Sequence, residues 1–190
     1  MAVALVNRRN KIHPWKFALW LGCASITMMF GAWTSAYVVR HAAGNWLEFK
    51  LPTIFFVNTA ILLLSSFTLH ASFISFKREK EGLYKSLLGL STILGLTFVV
   101  LQYVAWSEMQ KIVVPMTLNP SGDFVYVFTS FHAAHVLGGI AVLFIALVHA
   151  FSLPFKPTAK RKLRFELTLT YWHFVDFLWI YLFSFFLLQS

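Results

Sequence analysis

An all-α membrane protein, a bundle of five transmembrane helices, is the fold class this sequence predicts, on three observations. Of its 190 residues, 58% are hydrophobic and only 12% charged, with a mean hydropathy of +0.70, far from the mixture of a soluble domain. Five apolar runs are each long enough to cross a hydrocarbon core of about 30 Å at about 1.5 Å per helical residue. None alternates with period two, and backbone polar groups in lipid must be satisfied internally, so helices are expected and a barrel is not. The chain, residues 1–190, reads as a single transmembrane domain.

The first run extends approximately from Lys16 to Val39, behind Arg8, Arg9 and Lys11. Basic residues before an apolar stretch, and the string Leu21-Gly22-Cys23, have the look of a secretion signal. The stretch nevertheless continues well past Cys23, and Trp20 stands where a lipoprotein site takes an aliphatic residue, so a retained helix is expected. Ala18, Gly22, Ser25, Ala32 and Ala36 stay near one face of it and predict close helix packing. Cys23 is the only cysteine, which excludes a disulfide framework and a cysteine metal motif.

The second run, Thr53 to Phe76, carries Asn58 and His70, and the third, Lys85 to Met109, carries Gln102. The fourth, Phe124 to Leu153, holds His132 and His135 three residues apart and His149 fourteen further on, sharing a face with Gly139, Val142 and Ala146. The fifth, Leu167 to Gln189, holds His173 and Asp176 three apart, with Glu166 two turns before His173. Trp15, Tyr37, Trp46, Tyr84, Trp106 and Tyr171 lie near helix ends, where interface anchoring is the expectation.

Charge sets the orientation. Thirteen of the sixteen Lys and Arg fall on one side: Arg8, Arg9, Lys11, Lys16, Lys77, Arg78, Lys80, Lys85, Lys156, Lys160, Arg161, Lys162 and Arg164. Only Arg40, Lys50 and Lys111 fall on the other. Cytoplasmic flanks collect basic residues, so the N-terminus is expected inside and the C-terminus outside. The net charge of +9 then reflects topology and attraction to anionic lipid, and nucleic acid is not an expected partner.

An ionised group at mid-bilayer costs about 2.5–3.5 kcal/mol on insertion scales and usually faces the bundle interior with a partner. Asp176 is therefore expected to be buried against protein. Counting along the alternating helices places His149 near the depth of His173 and Asp176, and the three are expected to form a hydrogen-bonded network at the inner end. His132 and His135 lie towards the outer half.

Two histidines on one face of a membrane helix also suit a diheme b-type cytochrome, but no second helix carries a matching pair. A metal site on His132 and His135 lacks an evident third ligand on that half. No nucleophile with an adjacent base, phosphate-binding loop or zinc-protease pattern is present, so the residues alone offer no catalytic constellation.

The local strings say more. FELTLTYWHFVDFLWIYLF, Phe165 to Phe183, closely resembles the last helix of heme-copper oxidase subunit III, in which a glutamate precedes a Y-W-H-F-V-D segment. TSFHAAHVLGG, Thr129 to Gly139, resembles that family's G-F-H-G-x-H-V-x-x-G helix, with Ser130 and Ala133 replacing glycines. VNTAILLLSS, Val57 to Ser66, is similar to its L-N-T-x-x-L-L-x-S-S helix, and Gln102 matches a glutamine in the helix that follows. The matches come in family order across the last four helices.

The resemblance implies a subunit of a terminal respiratory oxidase of aerobic electron transport, which reduces oxygen to water and pumps protons, in the bacterial cytoplasmic membrane. Such subunits carry no heme, copper or other cofactor themselves; those groups belong to partner subunits. They pack against subunit I beside subunit II, with room for a small subunit IV or a respiratory supercomplex, bind phospholipid and support proton uptake. His132, His135, His149, Glu166, His173, Asp176, Asn58 and Gln102 are the expected structural or lipid-related positions, none of them catalytic or metal-binding. The donor, cytochrome c or quinol, stays open, as does an accessory role in nitric oxide respiration. Two departures stand out. The long family form has seven helices against five here, and Ala105 occupies the place of a membrane-embedded glutamate found three residues after the glutamine, for which Glu108 is a doubtful substitute.

Overall fold

The computed structural model describes residues 13–44, 46, 50–112 and 120–189. It comprises five helices: α1 Pro14–Ala42, α2 Ile54–Lys77, α3 Glu81–Ile112, α4 Pro120–Ser152 and α5 Ala159–Gln189. All five are long and apolar enough to cross a membrane. Arg8, Arg9 and Lys11, used above to orient the chain, lie outside the described residues.

Local chemistry sets the helix ends. Pro14 opens α1, where its missing N–H costs nothing, and His13 Nδ1 accepts from the Trp15 N–H at 3.3 Å. Gly44 follows its C-terminus at φ +81°, the left-handed position that glycine takes without strain. The α2 terminus is a Schellman turn: the Lys80 N–H reaches Ser75 O at 3.0 Å and the Glu79 N–H reaches Phe76 O at 3.2 Å. Here the left-handed residue is Glu79, at φ 59°.

Three helices begin well before the apolar runs suggest, α4 among them at Pro120 instead of Phe124. Helix α3 starts at Glu81 instead of Lys85, with Glu81 and Lys85 paired at 2.6 Å. Helix α5 starts at Ala159 instead of Leu167, because Thr158 caps it: its hydroxyl accepts from Arg161 N and its carbonyl from Lys162 N. Hydropathy marks the span, whereas caps mark the helix.

The helices alternate in direction, so that one end of the bundle gathers Lys16, Lys77, Lys85 and the basic start of α5, while Arg40 and Lys111 lie at the other. Helix α5 is the hub, packing against α1, α2 and α4, while α2 pairs along its length with α3. Trp172 and Trp179 on α5 are buried to within 1% exposure. A Cβ added to Gly95 of α3 would stand 2.8 Å from the Trp172 ring, and one on Gly139 of α4 would stand 2.9 Å from it, so both glycines admit the indole. Between α2 and α3, small polar residues allow close approach: Ser65 and Ser91 exchange hydroxyl-to-carbonyl bonds at 3.1 and 3.2 Å, and Thr68 joins Ser91 at 2.7 Å.

The small-residue expectation for α1 is not met within the chain. Ala18, Gly22, Ser25, Ala32 and Ala36 are exposed, and nothing approaches a Cβ built on Gly22. Helix α1 instead packs through large residues, Phe30, Trp33 and Tyr37, against Phe124, Phe128, Phe131 and Phe185. Aromatic rings spaced three and four apart fill the groove more fully than small side chains do. The interface-anchor expectation is likewise corrected for Tyr37 and Tyr84, which are buried, and for Trp106, whose indole donates to Thr129 Oγ1 at 2.9 Å. Trp15, 68% exposed, is free to anchor.

Candidate functional site

The polar residues of the span fall into layers between apolar packing, each set by side chains from two or more helices. Nearest the less basic end, Asn58 Nδ2 of α2 donates to Gln102 Oε1 of α3 at 2.9 Å, fully buried. Each amide keeps one group without a partner, Asn58 Oδ1 and Gln102 Nε2. Beside them the Trp179 indole donates to Thr59 Oγ1 at 2.9 Å. His132 sits against that same indole, ring centroids 4.9 Å apart, and edge-on to Phe98 at 5.9 Å; neither ring nitrogen has a partner.

The middle layer joins α2 to α5. Ser66 Oγ and His173 Nδ1 are 2.5 Å apart, and His173 Nε2 lies 3.3 Å from His70 Nδ1. Asp176 is only 5% exposed, one turn from His173, with the Ser66 hydroxyl beside its carboxyl but outside hydrogen-bond geometry. Both carboxyl oxygens are buried without a well-formed partner. A buried polar group in this state retains its desolvation cost, which makes the neighbouring side chains matter.

The expected network is therefore corrected: His173 bonds Ser66 and His70, and no hydrogen bond joins it to Asp176. His149 does not join His173 and Asp176. It is exposed, and it lines a cleft of about 680 Å³ at the basic end with Arg164, Leu19, Gly138, Ile145 and Tyr171. Both its depth and its direction differ from the expectation: Gly138 and Gly139 of α4 lie against Tyr171 and Trp172 of α5, which carries His149 down to the level of Arg164 and Thr168, and Asp176 faces α2 whereas His149 belongs to α4 on another flank of α5. Ser66 and His70, one turn apart on α2, take its place, and that spacing is the signal a sequence reading can use.

His132 and His135 are separated by their surroundings. His135 Nδ1–H donates to the Phe131 carbonyl at 2.7 Å, its ring meets Phe30 of α1, and its own carbonyl accepts from Tyr171 OH at 3.1 Å. Glu166 gains a partner unforeseen in the sequence, Lys16 Nζ of α1 at 2.8 Å. Ala105 is fully buried, one turn beyond Gln102, and Glu108 points elsewhere, pairing with Lys111 at 2.8 Å. Among the described residues no three His, Cys, Asp or Glu side chains assemble into a group suited to a metal ion. The layers hold helices together, while Asn58, Gln102, His132 and Asp176 keep buried polar atoms without a partner.

The profile of the cytochrome c oxidase subunit III family matches residues 42–189, which takes in α2 to α5 and leaves out the α1 residues Lys16, Leu19 and Phe30. The chain belongs to that family. Similar proteins include the probable cytochrome c oxidase subunit 3 of Rickettsia prowazekii (strain Madrid E), 30% identical over 137 residues, covering 72% of this chain and 47% of the relative. The cytochrome c oxidase subunit 3 of Patiria pectinifera is 35% identical over 134 residues, 67% of this chain and 47% of the relative. That of Thermostichus vulcanus is 28% identical over 167 residues, 84% of this chain and 80% of the relative. The chain spans about half the length of the first two.

Proposed function

We propose that this chain is the non-catalytic subunit III of a proton-pumping terminal respiratory oxidase in a bacterial cytoplasmic membrane. It stabilises subunit I, holds phospholipid and supports proton uptake, with its N-terminus on the cytoplasmic side. The observation that carries the reading is the family match across four consecutive helices, including the polar layers of α2, α3, α4 and α5. Heme and copper reside in partner subunits under this reading. That assignment is supported by His70 and His173, which are hydrogen-bonded to each other, and by His132, which is enclosed by Phe98 and Trp179.

Lipid binding is supported by the cleft between α1, α4 and α5, whose walls are apolar and whose rim carries His149 and Arg164. That pairing of acyl-compatible walls with a basic rim suits an anionic phospholipid. The clustering of Lys16, Lys77, Lys85 and the basic α5 start at one end supports the orientation. Whether the electron donor is cytochrome c or a quinol is decided by subunit II, outside this chain.

Affinity purification of the tagged chain in mild detergent tests the proposal. A heme-copper catalytic subunit copurifies, with heme absorption in the complex. Recovery of the chain without any such subunit refutes the oxidase reading. A Soret band from the isolated chain would assign it a heme of its own.

A further inference from the structure

Helices α1 and α2 both pack on α5, yet among the described residues they make no contact with each other. A trough therefore runs between them with α5 as its floor. Phe177 of α5 is 70% exposed there, and Phe67 on the α2 wall is 74% exposed. On the α1 side a recess of about 200 Å³ is bounded by Thr27, Gly31, Phe174 and Tyr181. Apolar walls alone are satisfied by lipid. His70 is not.

His70 lies seven residues before the end of α2, about 10 Å inside it at the rise of a helix, and its side chain is exposed on the trough wall. Its Nδ1 is engaged with His173 Nε2, so the atom offered outward is Nε2. Through His173 it connects to Ser66, whose hydroxyl lies beside the buried Asp176. A polar ring at that depth turned towards acyl chains is unfavourable, and intramembrane polar side chains face protein or a water-filled cavity as a rule.

We infer that this trough is the docking face for one transmembrane helix of another chain, an apolar helix that brings a single hydrogen-bonding side chain to His70 Nε2. The inference rests on the reading of this chain as a subunit of a membrane complex. The apolar remainder of the partner fills the space over Phe67 and Phe177. The outer face of α4, where Phe144 and Phe151 are exposed, has no polar group of this kind at matching depth and is left to lipid.

The test uses intact membranes holding the assembled complex. A photo-crosslinking phenylalanine analogue is placed at Phe67 or Phe177 in the trough, and at Phe144 or Phe151 as controls, and crosslinked peptides are mapped by mass spectrometry. Both trough positions link to the same transmembrane segment of another chain, within one turn of a hydroxyl, amide or carboxyl side chain; the controls do not. His70→Leu lowers the yield about threefold or more, the scale of one interhelical hydrogen bond in a membrane, and His70→Gln retains it. Links to lipid alone, to a second copy of this chain, or only from the α4 controls overturn the inference. Copurification of a heme-copper subunit in the same preparation keeps the two readings apart: with it, absent trough links refute the docking face alone. Trough links to a segment of an unrelated complex, without that subunit, refute the oxidase reading alone.

Discussion

Asp176 concentrates the question posed by a carboxyl group in a transmembrane run. It is buried on the α2 side of α5, beside a Ser66 hydroxyl already committed to His173, and neither of its oxygens completes a hydrogen bond. Asp176→Ala removes a buried carboxyl that completes no hydrogen bond, and with it a desolvation cost of about 1–3 kcal/mol, so α2–α5 association is expected to be retained. On the proposed reading, this subunit is recovered in the purified complex in an undiminished fraction, with the heme spectrum of the catalytic subunit unchanged; a smaller fraction would show that the carboxyl holds His173 and Ser66 in place. A shifted heme spectrum would instead mark Asp176 as acting on a cofactor. Its burial was legible from sequence, since an ionisable group in such a run has to face protein. Its neighbours were not. Counting residues leaves the register of one helix against the next undetermined; Gly139 seats on Trp172, which carries His149 to the basic end, and only packing gives the direction around the helix that selects Ser66 and His70. Lys16 and Glu166, 150 positions apart in sequence, pair for the same reason and were equally hidden.

At the scale of elements, apolar run length was enough to find five helices, because a membrane helix has to be about 20 residues long whatever its neighbours. Helix ends and helix faces obey other rules. The Thr158 cap extends α5 by two turns into basic sequence, and the aromatic face of α1 displaces the small-residue face as the one that packs. Two substitutions test the elements directly. Gly139→Ala drives a methyl group to 2.9 Å from the Trp172 ring, and separating α4 from α5 to relieve it is expected to cost about 1–3 kcal/mol, read as a lower midpoint of thermal unfolding in detergent. Glu79→Gly has the opposite sign. Glu79 holds a left-handed conformation that costs a non-glycine residue about 1 kcal/mol, and its replacement is expected to raise the midpoint by a corresponding amount, the Schellman turn being retained.

On the scale of the whole molecule, the bundle is asymmetric: α2, α3, α4 and α5 share buried polar layers, while α1 is joined by aromatic contacts, by a Thr34–Tyr181 hydroxyl pair at 2.8 Å and by Lys16 to Glu166 at its basic end. The cleft of about 680 Å³ opens where α1 leaves α4 and α5 apart. Its position has a consequence for lipid. His149 and Arg164 hold no partner role in the polar layers, so changing them leaves the core undisturbed, and they stand at the rim where a phosphate would meet the headgroup region. Each basic group near an anionic surface contributes about 1 kcal/mol, so the double substitution His149→Ala with Arg164→Ala is expected to weaken retention of an anionic phospholipid about tenfold or more. Native mass spectrometry of the detergent-purified complex reads this as loss of a bound-lipid mass, with the thermal midpoint of the lipid-free protein unchanged. An unchanged bound-lipid population would place the lipid elsewhere, on a surface that the cleft does not form. A drop in thermal stability in the absence of lipid would mean that the two side chains support the fold instead. The same comparison made with Lys16→Ala separates the two ends of the argument, since Lys16 secures α1, one wall of the cleft, through a half-exposed ion pair. Such a pair contributes no more than about 1 kcal/mol, so Lys16→Ala is expected to leave lipid retention within a fewfold of the unaltered chain.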